Sequence, residues 1–229
     1  MKRLYSIMLI FALCLISIIT FSRLSVALFF DFEDEAQLDE WTILGGTWEI
    51  VDDEITNSKV VRGEGADELF LSIGDKKWTD YTVEFDGCGL TDDIGVAFRV
   101  KDVNNFYAFL IAPNINLSEW FSKKGGAFDE NIGKKSDNLG ISINEWHKYK
   151  LVVNGAEAQI FVDGEEPFEP VEISEDFDNG GIGLRQWGDT GHYDNVLISG
   201  TGIPLSTGEK SVELKDKLAH KWGYIKSQK

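Results

Sequence analysis

Two carboxylates two residues apart, Glu84 and Asp86, are where this chain comes closest to a catalytic pattern. Their segment, Tyr81-Thr82-Val83-Glu84-Phe85-Asp86, alternates apolar and polar side chains, as a strand with one buried face does. Alternation sets both acids on one side, where paired carboxylates can serve as nucleophile and acid/base in glycoside cleavage. The run continues as Gly87-Cys88-Gly89 without a third acid, and Glu33 and Glu35, beside the opening strand, likewise lack a third acid at the needed spacing. Other reactive types are dispersed. His147, His192 and His220 show no metal-ligand spacing, and Cys88 has no motif around it. The glycines at Gly87, Gly89 and Gly180 to Gly183 sit in strand and turn settings, so a dinucleotide loop is not indicated. The acids therefore read as solvated groups on an exposed strand face, and the chain as a non-catalytic protein.

Aromatic and arginine side chains make a better case for binding. With Ile94, Val96 and Phe98 pointing inward, alternation turns Arg99 to the opposite side of its sheet. With Ile182 and Leu184 inward, Arg185 and Trp187 turn the same way. The strand from Phe106 to Ala112 is apolar on both faces, which places Tyr107 and Phe109 on a concave surface, overhung by Trp120 from a long loop. Aromatic rings stack on sugars, and guanidinium forks bind hydroxyls or carboxylates. Arg99, Tyr107, Trp120, Arg185 and Trp187 are thus the expected ligand-binding set, with a polysaccharide or other glycan as ligand. A one-residue slip would send Trp187 into the core instead.

The elements that would position these residues are strands. Ile94 to Val100 and Tyr149 to Val153 alternate; Asn154-Gly155 supplies a tight hairpin turn, and Ala158, Ile160 and Val162 form the return strand. Many short strands, with no long helical pattern among them, predict an all-β, two-sheet antiparallel sandwich over 28–200. Ser118 to Gly140, rich in Lys and Gly, reads as a long hairpin or surface loop. Beyond Pro204 and Gly208, Leu214, Leu218, Trp222 and Ile225 recur at helical spacing, so 201–229 reads as a linker and a short amphipathic C-terminal helix. That apolar stripe needs a partner, most simply the sandwich itself.

At the other end, Lys2 and Arg3 precede an apolar run from Leu4 to Phe21, and Ser25-Val26-Ala27 supplies a small-residue exit. This predicts a signal peptide over 1–27 and a secreted, extracellular or periplasmic protein. Cys14 falls in that leader, which leaves Cys88 alone and an internal disulfide impossible. The leader and the segment 201–229 each carry +3; with −17 for the whole chain, 28–200 carries −23. So acidic a body repels phosphate backbones and excludes nucleic acid as a partner.

Specific motifs carry a resemblance. Phe30-Asp31-Phe32-Glu33-Asp34, Trp41 and Gly46-Thr47-Trp48 are followed by Asn104-Asn105-Phe106-Tyr107-Ala108-Phe109. Then come Glu145-Trp146-His147-Lys148-Tyr149, Phe161-Val162-Asp163-Gly164, Gly180 to Leu184, and Tyr193-Asp194-Asn195-Val196. In that order they resemble the concanavalin-like, laminin-G-like jelly-roll domains, among them the domain named for 3-keto-disaccharide hydrolysis. The resemblance implies a jelly-roll sandwich and several ligand classes: a polysaccharide, or a cell-surface or extracellular protein in the laminin-G manner. Its glycan-cleaving members carry an E-x-D-x-x-E strand that this chain lacks. It also implies a structural Ca²⁺ between the opening and closing strands, with Asp31 and Asp194 in the matching positions.

Overall fold

The computed structural model describes residues 27–204 except 66–67, 76, 130–131, 133–138, 174–176 and 189. The leader expected over 1–27, apart from Ala27, and the helix expected after Gly208 lie outside the described residues.

Among the described residues fifteen strands follow one another. They are β1 (Ala27–Phe30), β2 (Thr42–Gly45), β3 (Thr47–Asp53), β4 (Ser58–Glu64), β5 (Glu68–Ile73), β6 (Tyr81–Gly89), β7 (Ile94–Asp102) and β8 (Asn105–Ala112). Then come β9 (Leu117–Lys124), β10 (Ala127–Asp129), β11 (His147–Asn154), β12 (Glu157–Val162), β13 (Val171–Glu172), β14 (Gly181–Trp187) and β15 (Thr190–Gly200). A 3-10 turn at Glu35–Glu40 starts on Asp34, whose carboxylate accepts from the Ala36 N–H at 3.0 Å.

The strands form two antiparallel sheets. Sheet A runs β13-β12-β11-β6-β15-β4-β3, with β1 also paired to β15. Sheet B runs β10-β9-β8-β7-β14-β5-β2. The chain crosses repeatedly from one sheet to the other, through Gly46 alone between β2 and β3 and through 90–93 between β6 and β7, as in a jelly roll. The expected all-β sandwich is what the chain builds.

The inner faces meet in a core where Phe30, Trp48, Val83, Phe85 and Tyr149 of sheet A oppose Leu71, Val96, Phe109, Trp120 and Leu184 of sheet B. Polar groups bridge the layers too. The Tyr193 hydroxyl, on β15, donates to the Arg185 carbonyl of β14 at 2.6 Å and lies 3.3 Å from the Gly95 N–H of β7. Such a buried phenol is accommodated because its hydroxyl is satisfied.

Of the two readings of Ser118 to Gly140, a hairpin is what part of it forms: β9 and β10 close on Gly125 and Gly126, whose φ values of 57° and 84° suit glycine. One expectation about local structure changes, because the alternation along β7 breaks. Phe98 and Asp102 are separated by a register shift, and Arg99 has φ 49°. This bulge turns Val100 outward into a second apolar cluster, where a steady period would have kept it in the core.

Candidate functional site

Residues paired across antiparallel strands share a face, so register decides which expected residues come together. One outward row of sheet B reads Phe70–Arg185–Gly95–Leu110, and the next Ser72–Gly183–Ala97–Ala108–Phe121. Gly183 leaves room for Phe70: a Cβ there would meet the Phe70 ring at 2.9 Å. Arg185 and Trp187 belong to this outer face, as alternation predicts.

The other three expected ligand-binding residues do not. Tyr107 pairs with Phe98 and must share its inward face; the two rings stack at 5.4 Å inside the core. Trp120 lies on β9, not on a loop, and packs against Phe109 at 4.9 Å, fully buried. Phe109 is inward as well, whereas Phe106, Ala108 and Leu110 point out. In a strand apolar on both sides, hydrophobicity cannot set the phase, and the cross-strand partner does. Arg99 is displaced by its bulge. Its guanidinium donates to the carbonyls of Phe177 at 3.0 Å and Gly155 at 2.5 Å, tying loops together at one end of the sandwich.

Arg185 itself is sealed at 1% exposure. Its Nη1 donates to Asp93 Oδ2 at 2.7 Å, and its guanidinium stands 5.0 Å over the Phe121 ring. The other Asp93 oxygen accepts the Trp187 N–H at 2.8 Å. Trp187 is 61% exposed, so its backbone is anchored while its ring faces solvent. Toward the other edge of the same face, Phe128 is 53% exposed, with the Lys123 ammonium 4.9 Å over its ring.

On the outer face of sheet A lies a group that the sequence did not reveal. His192 Nδ1 is 2.7 Å from Asp53 Oδ2, although 139 positions separate them. Asp53 Oδ1 also accepts from the N–H groups of Ile55 and Thr56 and from the Thr56 hydroxyl. The Trp146 ring lies 6.3 Å from the imidazole, and Cys88 is the cross-strand neighbour of His192. His192 Nε2 and Trp146 Nε1 are buried without a hydrogen-bond partner among the described residues. Burial, the largest influence, pushes the His192 pKa down against the pull of Asp53, so the ring is neutral. Burial would raise Asp53, but the bonds from Thr56 and His192 outweigh it and hold the carboxyl low. Cys88 is pushed up to about 11, first by burial and then by the charge of Asp53. Among sequence features, only the polar residue at the end of an otherwise regular β3 hints at this group.

Glu84 and Asp86 share the outer face of sheet A, as alternation predicts. Asp86 is engaged there by Lys148 Nζ at 2.7 Å and Asn195 Nδ2 at 3.0 Å. The expected metal residues sit near one another, because Phe30 pairs with Val196. Asp31 Oδ1 accepts from Gln37 Nε2 at 2.7 Å, and the two oxygens of Asp194 accept from the Asn195 main-chain and side-chain amides. Amide donors thus occupy oxygens that a cation would need. Among the described residues no three His, Cys, Asp or Glu side chains gather so as to hold a metal ion.

Residues 26–199 match the family of 3-keto-alpha-glucoside-1,2-lyase-like domains, and the chain belongs to that family. No curated protein matches it. Among solved structures, a carbohydrate-binding module, CBM66 from Bacillus subtilis, is similar at TM-score 0.60 and 23% identity, over 70% of this chain and 96% of that one. A Bacillus subtilis protein of unknown function with a galectin-like fold is similar at TM-score 0.54 and 10% identity, over 75% and 94%. The GH43 protein BlXynB from Bacillus licheniformis, a K247S mutant, is similar at TM-score 0.53 and 13% identity, over 75% of this chain but 39% of that one. At such identities the likeness is one of fold.

Proposed function

We propose that this chain is a non-catalytic carbohydrate-binding module that takes a polysaccharide against the outer face of sheet B, beside Trp187. The observation that carries the reading is the solvent-facing indole of Trp187 on a backbone pinned by Asp93. A ring held in place before binding loses little freedom when a sugar stacks on it. The family's glucoside-directed description and the CBM66 likeness support a carbohydrate ligand. A signal peptide over 1–27, as the sequence leads one to expect, would make this an exported module that meets polysaccharide outside the cell.

Titration of the mature chain with soluble polysaccharides, followed by Trp fluorescence and calorimetry, tests this reading; saturable binding is expected. Turnover of a 3-keto glucoside in the same samples would replace binding by catalysis, in line with the family's lyase description. Absence of any saccharide response would favour the cell-surface protein interaction. The Ca²⁺ at Asp31 and Asp194 is a separate proposal, supported by their closeness and opposed by their amide partners.

A further inference from the structure

Three side-chain nitrogens on the outer face of sheet A are buried without a hydrogen-bond partner among the described residues: His192 Nε2, Trp146 Nε1 and Arg62 Nε. They fall along one line of the sheet. His192 pairs with Cys88 of β6 on one side and with Arg62 of β4 on the other. Trp146 joins that line at Cys88, because the residue after it, His147, pairs with Gly87. The chain before β11 is held there too, since the Asn144 N–H donates to the Gly89 carbonyl at 2.9 Å. Glu49 and Glu64 engage Arg62 through Nη2 and so fix its guanidinium. The imidazole is sealed, at 7% exposure for the whole residue. Buried polar groups are nearly always paired, so three orphans in one row call for a common partner.

Their chemistry is complementary. The Asp53 carboxylate can only accept, so His192 Nδ1, 2.7 Å away, carries a proton. The buried ring is neutral, which leaves a lone pair on Nε2. Trp146 Nε1 and Arg62 Nε are donors on either side of that acceptor along the row. We propose that this row is a second binding site, for the neighbouring hydroxyls of an uncharged sugar, on the face of the sandwich opposite Trp187. One hydroxyl oxygen both accepts from an N–H and donates to the imidazole lone pair. A carboxylate has no proton for Nε2, and an ammonium has no acceptor for the two N–H groups, so either would leave orphans behind. The Trp146 indole, 6.3 Å from the imidazole, also offers a ring face to the sugar. It is partly exposed and ends a stretch, 139–146, without helix or strand, so rotation of this ring admits the ligand.

The site does not rest on the reading of Trp187. Heteronuclear NMR of the full mature chain, titrated with glucose, tests it, with acetate and methylammonium as charged probes. Saturable shifts of the Trp146 indole N–H and of His192 Nε2 are expected with glucose and with neither ion. No shift with glucose would mean that ordered water alone fills the row, and would overturn the site, as would an equal response to acetate. Trp146→Phe keeps a ring but lacks the donor. It is expected to weaken the His192 response about tenfold, as the loss of one hydrogen bond does; an unchanged response would again overturn the site. Trp187→Ala is expected to leave both shifts intact, and their loss would place the sugar on sheet B alone. A protein that takes no polysaccharide at Trp187 but keeps these shifts leaves the second site standing, so the two readings fail separately.

Discussion

Arg185 and Asp93 form an ion pair closed off from solvent, and the same carboxylate that binds the guanidinium also holds the Trp187 N–H. Removing one partner of such a pair leaves the other charge buried and uncompensated. Arg185→Met should therefore cost about 3–5 kcal/mol of stability. The double variant Arg185→Met with Asp93→Leu should recover part of that loss, because neither charge then remains. Urea unfolding of the three proteins checks this; equal losses in the single and double variants would show that the pair itself is not what matters.

Trp187 is expected to behave in the opposite way. Its ring is largely outside the core, so Trp187→Ala should move the melting temperature little, since surface changes usually stay within about 0.5 kcal/mol. Saccharide affinity should fall by about 1–3 kcal/mol, the loss seen when an aromatic anchor is truncated. Calorimetric titration beside a thermal melt separates the two effects.

Acid should destabilise the fold in two stages. Folded His192 releases its proton more readily than it does in the unfolded chain. The unfolded state therefore binds more protons below about pH 6.5, and stability falls with pH from there. Asp53, held low in the fold, adds stability that is present above about pH 4 and lost as the pH drops through its folded value. His192→Gln should remove the upper stage. Denaturation series from pH 8 to pH 3 would reveal it; stability rising between pH 7 and pH 5 would instead mean a charged imidazole paired with Asp53.

Asp194 tests the calcium proposal. Asp194→Ala should lower the melting temperature with or without a chelator, because it removes the acceptor of the two Asn195 amide bonds. Only a parent protein whose melting temperature falls with chelation, recovers with Ca²⁺, and loses both responses in Asp194→Ala would assign a metal there.

The strand set was legible because each half-buried strand carries its own period. Tyr81 to Asp86 and Tyr149 to Val153 lie in register as neighbours, and the Asn154-Gly155 hairpin closes β11 on β12. The face of Arg185 and Trp187 was legible for the same reason. Arg99 was misread because one bulged residue reverses the phase, and nothing in Val96 to Lys101 marks the bulge. Tyr107 was misread because β8 is apolar on both sides, so its phase is set by Phe98 on another strand. The meeting of Asp53 with His192 depends on how β3, β4 and β15 line up, which no local pattern records.

Tyr193 follows His192 directly, and the two point to opposite sides of β15. The phenol spans the gap between layers and ends on the carbonyl of Arg185, beneath the face that carries Trp187. It thus acts as a spacer of fixed length, and the two outer surfaces are mechanically joined through adjacent residues. A change that tilts β15 at His192 would be felt, by way of one rigid ring, at the strand that presents the indole.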